Sequence, residues 1–335
     1  MRHRLNWGVI GSGAIAADFT RALWLSERCR VVHVVGSSLD KARAFAKRYG
    51  VPGCSQDVGE MLADEKVDAV YIATPHPLHE EQALACIAAG VPVLCEKPLA
   101  MSTEGARRVF DAANGAGVFV LEGFMYRCHP LIGALIQRIQ NGAIGKVRHI
   151  RADFGFCAPR DPAGRLFNPK LGGGSILDVG GYPVSMARLI AGVAVGAPQA
   201  EPTAISAACT IGPTGADEFA TALLTFPGEI SAQVTSAISH DVGTSVVIFG
   251  DEGKIVLPNP WLPGGDRQGL ESELTVHPMR GEPELVRLRA ARPVYALEAE
   301  LVADTLPDLQ AAWPAMTWSD SLGNLRVMDA WRQAL

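Results

Sequence analysis

Leu5-Asn6-Trp7-Gly8-Val9-Ile10-Gly11-Ser12-Gly13-Ala14-Ile15-Ala16 opens the chain with a short apolar run containing β-branched residues, then a glycine turn, then a helical pattern through Leu25. G-x-G-x-x-A between a strand and a helix is the pattern of a turn that holds a pyrophosphate. Gly11 permits the tight turn, Gly13 lets the backbone approach the phosphates, and Ala16 allows the helix to pack closely on the strand. The amides that open the helix, at Ala14 and Ile15, then face the anion. A bare match is often accidental in a chain with 35 glycines. Here the flanking strand and helix and the N-terminal position make chance the inferior reading.

Working outward, the next apolar run, Val31 to Val35, ends in Gly36-Ser37-Ser38-Leu39-Asp40-Lys41. A site selective for NAD places an acidic residue at this strand end to bond the ribose 2′-hydroxyl. Serine stands there instead, and Ser37, Ser38 and Lys41, with Arg43 nearby, form a setting for a 2′-phosphate. NADP is therefore the expected cofactor, with NAD possible because Asp40 lies in the same turn. The same serines also suit the N-cap of a helix starting near Leu39, and the two roles are compatible.

Val67 to Ala73 leads into Thr74-Pro75-His76-Pro77-Leu78-His79, and Val91 to Cys95 leads into Glu96-Lys97-Pro98; Val118 to Glu122 is a further strand. Alternating β and α units of this length predict a doubly wound parallel sheet whose ligands lie at the carboxyl ends of the strands. Thr74, Pro75, His76, His79, Glu96 and Lys97 are therefore expected beside the cofactor. His76 and His79 have ligand-like spacing, but the prolines disfavour a helix presenting both on one face, and no metal is expected. Proline after Lys97 restricts its backbone to extended geometry and aims an ammonium group at the sheet edge.

The whole chain has 335 residues, 48% of them hydrophobic, and a formal net charge of −5. That length predicts two domains, taken as 1–122 for the dinucleotide-binding domain and 123–335 for a substrate-binding and oligomerisation domain. No basic stripe points to nucleic acid or an anionic membrane, so a small-molecule substrate is expected. Seven scattered cysteines without a C-x-x-C pair fit a reducing compartment. No signal-type stretch and no run of about 18 apolar residues is apparent, which predicts a cytoplasmic protein.

Beyond Gly123 the pattern changes. A helix from Leu131 to Asn141 precedes half-buried strands at Val147 to Phe156, Thr203 to Ile211, Phe219 to Phe226, Ile230 to Ile238, Ser245 to Phe249 and Lys254 to Leu257. Strand following strand predicts a large, mainly antiparallel open sheet, with helices on one face and the other available to a second copy. Gly250-Asp251-Glu252-Gly253 reads as a hairpin turn. After the first strand comes a loop with Arg160, Arg165 and Gly172-Gly173-Gly174, leading into Ile176-Leu177-Asp178-Val179-Gly180-Gly181-Tyr182-Pro183 and a helix through Ile190. On a helical backbone Asp178 and Tyr182 share one face, and the glycines leave room for a substrate. Each alone has an ordinary alternative, Asp178 as a cap and Tyr182 as a packing residue.

The glycine motif, Thr74-Pro75 with His79, Glu96-Lys97-Pro98 and the Gly172 to Tyr182 segment, in this order, resemble the glucose-fructose oxidoreductase, inositol dehydrogenase and rhizopine catabolism (Gfo/Idh/MocA) family over essentially the whole chain. Tyrosine at 182 and Phe124-Met125-Tyr126-Arg127-Cys128-His129-Pro130 are most similar to its dimeric dihydrodiol dehydrogenase and NADP-dependent D-xylose dehydrogenase branch. The resemblance implies NADP, although those dihydrodiol enzymes carry arginine where Ser37 stands. It also implies hydride transfer between nicotinamide and a carbinol or carbonyl carbon of a polyol, sugar, sugar derivative or trans-dihydrodiol. A homodimer or homotetramer through the second sheet is compatible with the open face.

Lys97 as polariser and Tyr182 as proton donor is the expected division. A tyrosine ionises near pH 10, and a neighbouring ammonium brings it closer to working pH. The reverse division stays open. Asp178 orients the lysine or a substrate hydroxyl, and Arg127 and Arg165 are candidate contacts to cofactor or substrate. Two other classes share the scaffold: an NAD-dependent glycosidase that retains its cofactor, and a non-catalytic NADP(H) sensor.

Overall fold

Six parallel strands form the first sheet: β1 (Leu5–Ile10), β2 (Cys29–Val35), β3 (Gly53–Ser55), β4 (Ala69–Ile72), β5 (Val93–Glu96) and β6 (Val120–Gly123). Their order, β3-β2-β1-β4-β5-β6, is that of a doubly wound nucleotide-binding sheet. The helices between them are α1 (Ala14–Leu23), α2 (Leu39–Tyr49), α3 (Val58–Leu62), α4 (His79–Ala88) and α5 (Thr103–Ala116). β1, β4 and β5 are buried along their full lengths, as strands covered on both faces must be. On one face Phe19 of α1 stacks on Tyr71 of β4 at 3.9 Å and meets Trp7 of β1 edge-on at 5.4 Å.

The computed structural model describes residues 4–335, so the first three residues of the 1–122 expectation lie outside the described residues. The described chain divides into two compact units. The first runs to Cys128 and regains Arg267–Leu270 and Ala291–Trp318 later in the sequence; the second holds His129–Asp266, Glu271–Ala290 and Ser319–Leu335. Within the first unit Arg267 reaches Asp18 of α1 at 3.3 Å, and the Gln268 amide donates to the Asp18 carbonyl at 3.0 Å.

The second unit contains α6 (Pro130–Gln140), β7 (Val147–Gly155), α7 (Gly181–Ala194), β8 (Ala204–Ile211), β9 (Asp217–Phe226), β10 (Ile230–Ala237), β11 (Val246–Gly250), β12 (Gly253–Leu257), β13 (Glu271–Pro278) and β14 (Glu284–Arg289). α8 (Val294–Thr305) belongs to the first unit, and α9 (Trp318–Gln333) lies almost wholly in the second. The sheet order is β14-β13-β12-β11-β7-β10-β9-β8, antiparallel except for the pair β7 and β10. One face carries Ile150, Ala152, Leu224 and Val234, all buried, under α7. β11 and β12 form the expected hairpin, with Phe249 opposite Lys254.

β13 and β14 escape the sequence reading because charged residues alternate through them; Glu271 and Glu273 answer Arg289 and Arg287 across the pair at 2.7 and 3.3 Å. The helical run Pro169–Ala194 is long and apolar enough by composition to cross a bilayer, with a mean hydropathy of 1.2, but its apolar window is wholly buried, as in a core helix.

Candidate active site

The glycine turn has the backbone its sequence requires. Gly11 sits at φ 117°, and a Cβ there would lie 2.5 Å from the Ala73 carbonyl oxygen, so only glycine fits between β1 and the end of β4. A Cβ on Gly13 would meet nothing within 4 Å. Gly13 is the N-cap of α1 and supplies no side-chain cap, so the first amides of that helix have no side-chain acceptor. An open approach and an uncapped helix N-terminus are what a pyrophosphate needs. Gly13, Ala14, Arg21, Lys41 and Arg48 border a cleft of about 500 Å³.

At the end of β2, Ser38 caps α2 by accepting the Lys41 amide at 3.3 Å, and the Lys41 ammonium donates to Ser37 Oγ at 3.2 Å. Ser37 and Lys41 are exposed, and no carboxylate occupies the strand end. The open glycine turn and the uncapped amides fit a dinucleotide, and Ser37 and Lys41 stand exposed at the end of β2.

The turn after β4 is fastened to the turn after β5. His79, fully buried at the start of α4, brings its ring nitrogens to 2.8 Å from the carbonyl oxygens of Pro98 and Thr74. Thr74 Oγ1 donates to Gln82 at 2.6 Å. His76 is buried in the 3-10 turn His76–Leu78, edge-on to His79. Among the described residues no group of three or more metal-ligating side chains is assembled.

Lys97 follows the last residue of β5, half-buried, and the Lys97-Pro98 bond is cis. It therefore stands on the same sheet edge as the Gly11 turn, since β1, β4 and β5 are parallel neighbours. Glu96 points elsewhere. Its carboxylate accepts from Tyr71 Oη at 2.5 Å inside the core, and burial pushes it up against the opposing pull of Lys97 and Tyr71. Glu298 of α8 is buried in the same unit with Oε2 unpaired, and burial plus the charge of Glu96 push its carboxyl well up. Cys95, also buried, has its thiol pushed up by burial and is no candidate nucleophile. Arg127 is buried rather than solvated and donates to the Pro314 carbonyl at 3.3 Å.

In the second unit the segment before Tyr182 is not a regular α-helix. Ile176–Gly180 forms a π-helical turn that runs directly into α7. Such a turn is wider than an α turn and resets the register of the side chains that follow it into α7. Asp178 lies within the π turn, and its Oδ1 accepts from Arg165 Nη1 at 2.7 Å. A Cβ on Gly173 would lie 2.6 Å from the Arg165 carbonyl oxygen, so the loop needs glycine there to fold on itself. Tyr182 is buried in an aromatic wall: Phe154 meets it edge-on at 5.2 Å, and Trp261 lies at 5.9 Å. Trp261 is fixed by its indole N–H on the Asp153 carbonyl at 2.9 Å. Sequence reasoning missed Phe154 and Trp261. Phe154 was legible only as one residue of an alternating strand, and Trp261 lies between strands with no local signal.

The profile described as "Oxidoreductase family, NAD-binding Rossmann fold" matches residues 5–124, and the GFO/IDH/MocA C-terminal domain profile matches 132–256. The chain is 34% identical to trans-1,2-dihydrobenzene-1,2-diol dehydrogenase of Mus musculus over 77% of this chain and 76% of that one. It is 32% identical to an uncharacterized oxidoreductase of Rhizobium meliloti over 97% and 95%. Among solved structures, a 3-ketoreductase from Actinomadura kijaniata in complex with NADP and TDP-benzene superimposes with a TM-score of 0.86 at 25% identity, over 99% and 98% of the two chains. An aldose-aldose oxidoreductase from Caulobacter crescentus shares the fold, with a TM-score of 0.86 at 24% identity over 99% and 97%.

Proposed function

The chain belongs to the Gfo/Idh/MocA oxidoreductases, with an NAD-binding Rossmann domain, and on that premise we propose that it oxidises or reduces a CH–OH or carbonyl group of a sugar, sugar derivative or trans-dihydrodiol using NADP. The observation that carries this reading is the placement of Lys97 at the carboxyl end of β5, on the sheet edge shared with the Gly11 turn. When bound, the nicotinamide cofactor supplies or accepts the hydride.

The chain's own residues do the rest. Gly13 and the first amides of α1 hold the pyrophosphate. Ser37 and Lys41 hold the 2′-phosphate, a preference that suits the NADP complex of the structurally similar ketoreductase. Lys97 stabilises negative charge on the substrate oxygen, and Tyr182 gives or takes its proton. Asp178, paired with Arg165, orients a substrate hydroxyl or the lysine. Phe154 and Trp261 offer an apolar wall to a ring, the common property of a pyranose face and a dihydrodiol. Arg127 acts through the Pro314 carbonyl as a support of the first unit.

The second sheet supplies the oligomeric surface in this reading. Its uncovered face carries Leu223, 51% exposed, with Phe219, Phe249 and Val256, and a second copy would cover it. Seven cysteines without a disulfide suit a reducing compartment such as the cytoplasm. An absorbance screen with NADP+ and NAD+ against aldoses, inositols, anhydrosugars and trans-dihydrodiols tests the proposal. Reduction of NADP+ by one of these classes is expected; release of free sugar with cofactor retained, or tight NADPH binding without turnover across the panel, would replace it.

A further inference from the structure

Asp217 is the first residue of β9, far along the chain from the π-helical turn, yet it holds that turn at its start. Its Oδ2 accepts the Ile176 amide at 2.8 Å and the Ser175 hydroxyl at 3.0 Å. Ser175 has one proton, committed to Asp217, so the contact of 2.9 Å between the Ser175 and Ser236 hydroxyls has Ser236 as donor. Both serines are fully buried. Gly174, at φ 120°, clears the way: a Cβ there would lie 2.1 Å from Asp217 Oδ1. The Ser236-to-Ser175 relay and the Ile176 amide thus converge on the Asp217 carboxylate, which holds the backbone two residues before Asp178.

The need for such an anchor follows from the backbone. A π turn leaves its first amides unpaired and is a sparsely used conformation, so it persists only where its surroundings impose it. The negative charge also stands at the N-terminal end of the long helix that follows, where it is favoured. The next residue, Glu218, accepts from Arg160 at 2.7 Å, so the start of β9 fixes the preceding loop as well.

We propose that Asp217 is the positioning residue of the acid/base helix: by accepting from Ser175 and Ile176 it sets the π turn, and with it the direction in which Asp178 and Tyr182 present their side chains. The inference rests on the assignment of Tyr182 and Asp178 to the chemistry. Asp217 itself touches no reacting group and is not a catalytic residue.

The test uses the full-length protein labelled with fluorotyrosine, whose Tyr182 fluorine resonance is identified by its loss in Tyr182→Phe. Asp217→Ala should move that resonance, and Asp217→Asn, which keeps an acceptor oxygen, should return it close to the parent position. With trans-1,2-dihydrobenzene-1,2-diol or D-xylose and NADP+ as probes, Asp217→Ala should lower kcat on the order of 10- to 100-fold, the scale of a misplaced reactive group, with KM for NADP+ unchanged. Asn should restore most of the rate. If Asp217→Ala does not fold, Ser175→Ala carries the test with a smaller shift and rate loss in the same direction. An unmoved resonance in Asp217→Ala, or in Ser175→Ala should it stand in, overturns the inference, as does an Asn variant no better than Ala. Normal turnover in Tyr182→Phe would instead remove the assignment underneath it, a separable result.

Discussion

The Lys41 ammonium donates to Ser37 Oγ over 3.2 Å, tying the basic side chain at the start of α2 to the end of β2. In a nucleotide-binding sheet this is the position that reads the ribose 2′-substituent. Ser37→Asp places a carboxylate there, which repels a phosphate and accepts from a hydroxyl. It should lower kcat/KM for NADP+ by about 10-fold or more and raise the NAD+ value. Ser37→Arg should do the opposite. Paired kcat/KM measurements check both; an unchanged ratio in the two variants would move 2′-recognition elsewhere.

Lys97→Met removes the ammonium at the end of β5 but keeps the length and packing of the side chain. Turnover should fall by about 100-fold or more, the scale of a lost electrostatic or acid/base group. The phosphate-holding turn at Gly11 and Gly13 is untouched, so NADPH affinity, followed by its fluorescence, should stay close to that of the parent. Near-normal turnover would withdraw the role given to Lys97.

Legibility in the sequence followed locality. The Gly11–Ala16 turn, the β1 strand and the Glu96-Lys97-Pro98 ending were readable because each depends on neighbours a few residues away. The same holds for the β11–β12 hairpin. β13 and β14 were not readable, since their charged alternation makes sense only once Arg287 and Arg289 are seen across from Glu273 and Glu271. The π turn that contains Asp178 and leads to Tyr182 was not readable, because the carboxylate that holds its start comes from β9. Arg165, a candidate contact to cofactor or substrate, pairs with Asp178 within its own unit, a partner that sequence spacing did not indicate.

Arg188, fully buried in α7, donates to Asp320 Oδ1 at 2.5 Å and to the Asp320 carbonyl at 2.8 Å, and its other arm reaches Glu201 at 2.7 Å. Asp320 is also fully buried, whereas the Glu201 side chain is 46% exposed. Asp320→Ala leaves the buried guanidinium with only the half-exposed Glu201 as counter-charge and should cost about 3–5 kcal/mol. Glu201→Ala should cost less than about 1 kcal/mol, because water replaces that partner. Urea unfolding of the two variants checks the contrast. Equal losses would mean that Arg188 draws on the two carboxylates alike.

Glu298 should make the protein less stable as pH rises. Its carboxyl is 1% exposed, Oε2 has no hydrogen-bond partner, and burial with the nearby charge of Glu96 raises its pKa well above the usual value. In the unfolded chain the group ionises near pH 4.3. Below that pH both states hold the proton and the full contribution to stability is present. Above it the unfolded chain releases the proton while the folded protein keeps it, so stability falls by about 1.4 kcal/mol per pH unit until the folded carboxyl also ionises. Glu298→Gln cannot ionise. Its amide brings a fixed cost for burying an N–H group, the same at every pH, so the informative quantity is the slope and not the offset. Melting of parent and variant at pH 4.5 and pH 8 should show the difference moving in favour of the glutamine protein at the higher pH. A pH-independent difference would mean that Glu298 is ionised in the fold, with a counter-charge close enough to offset its burial.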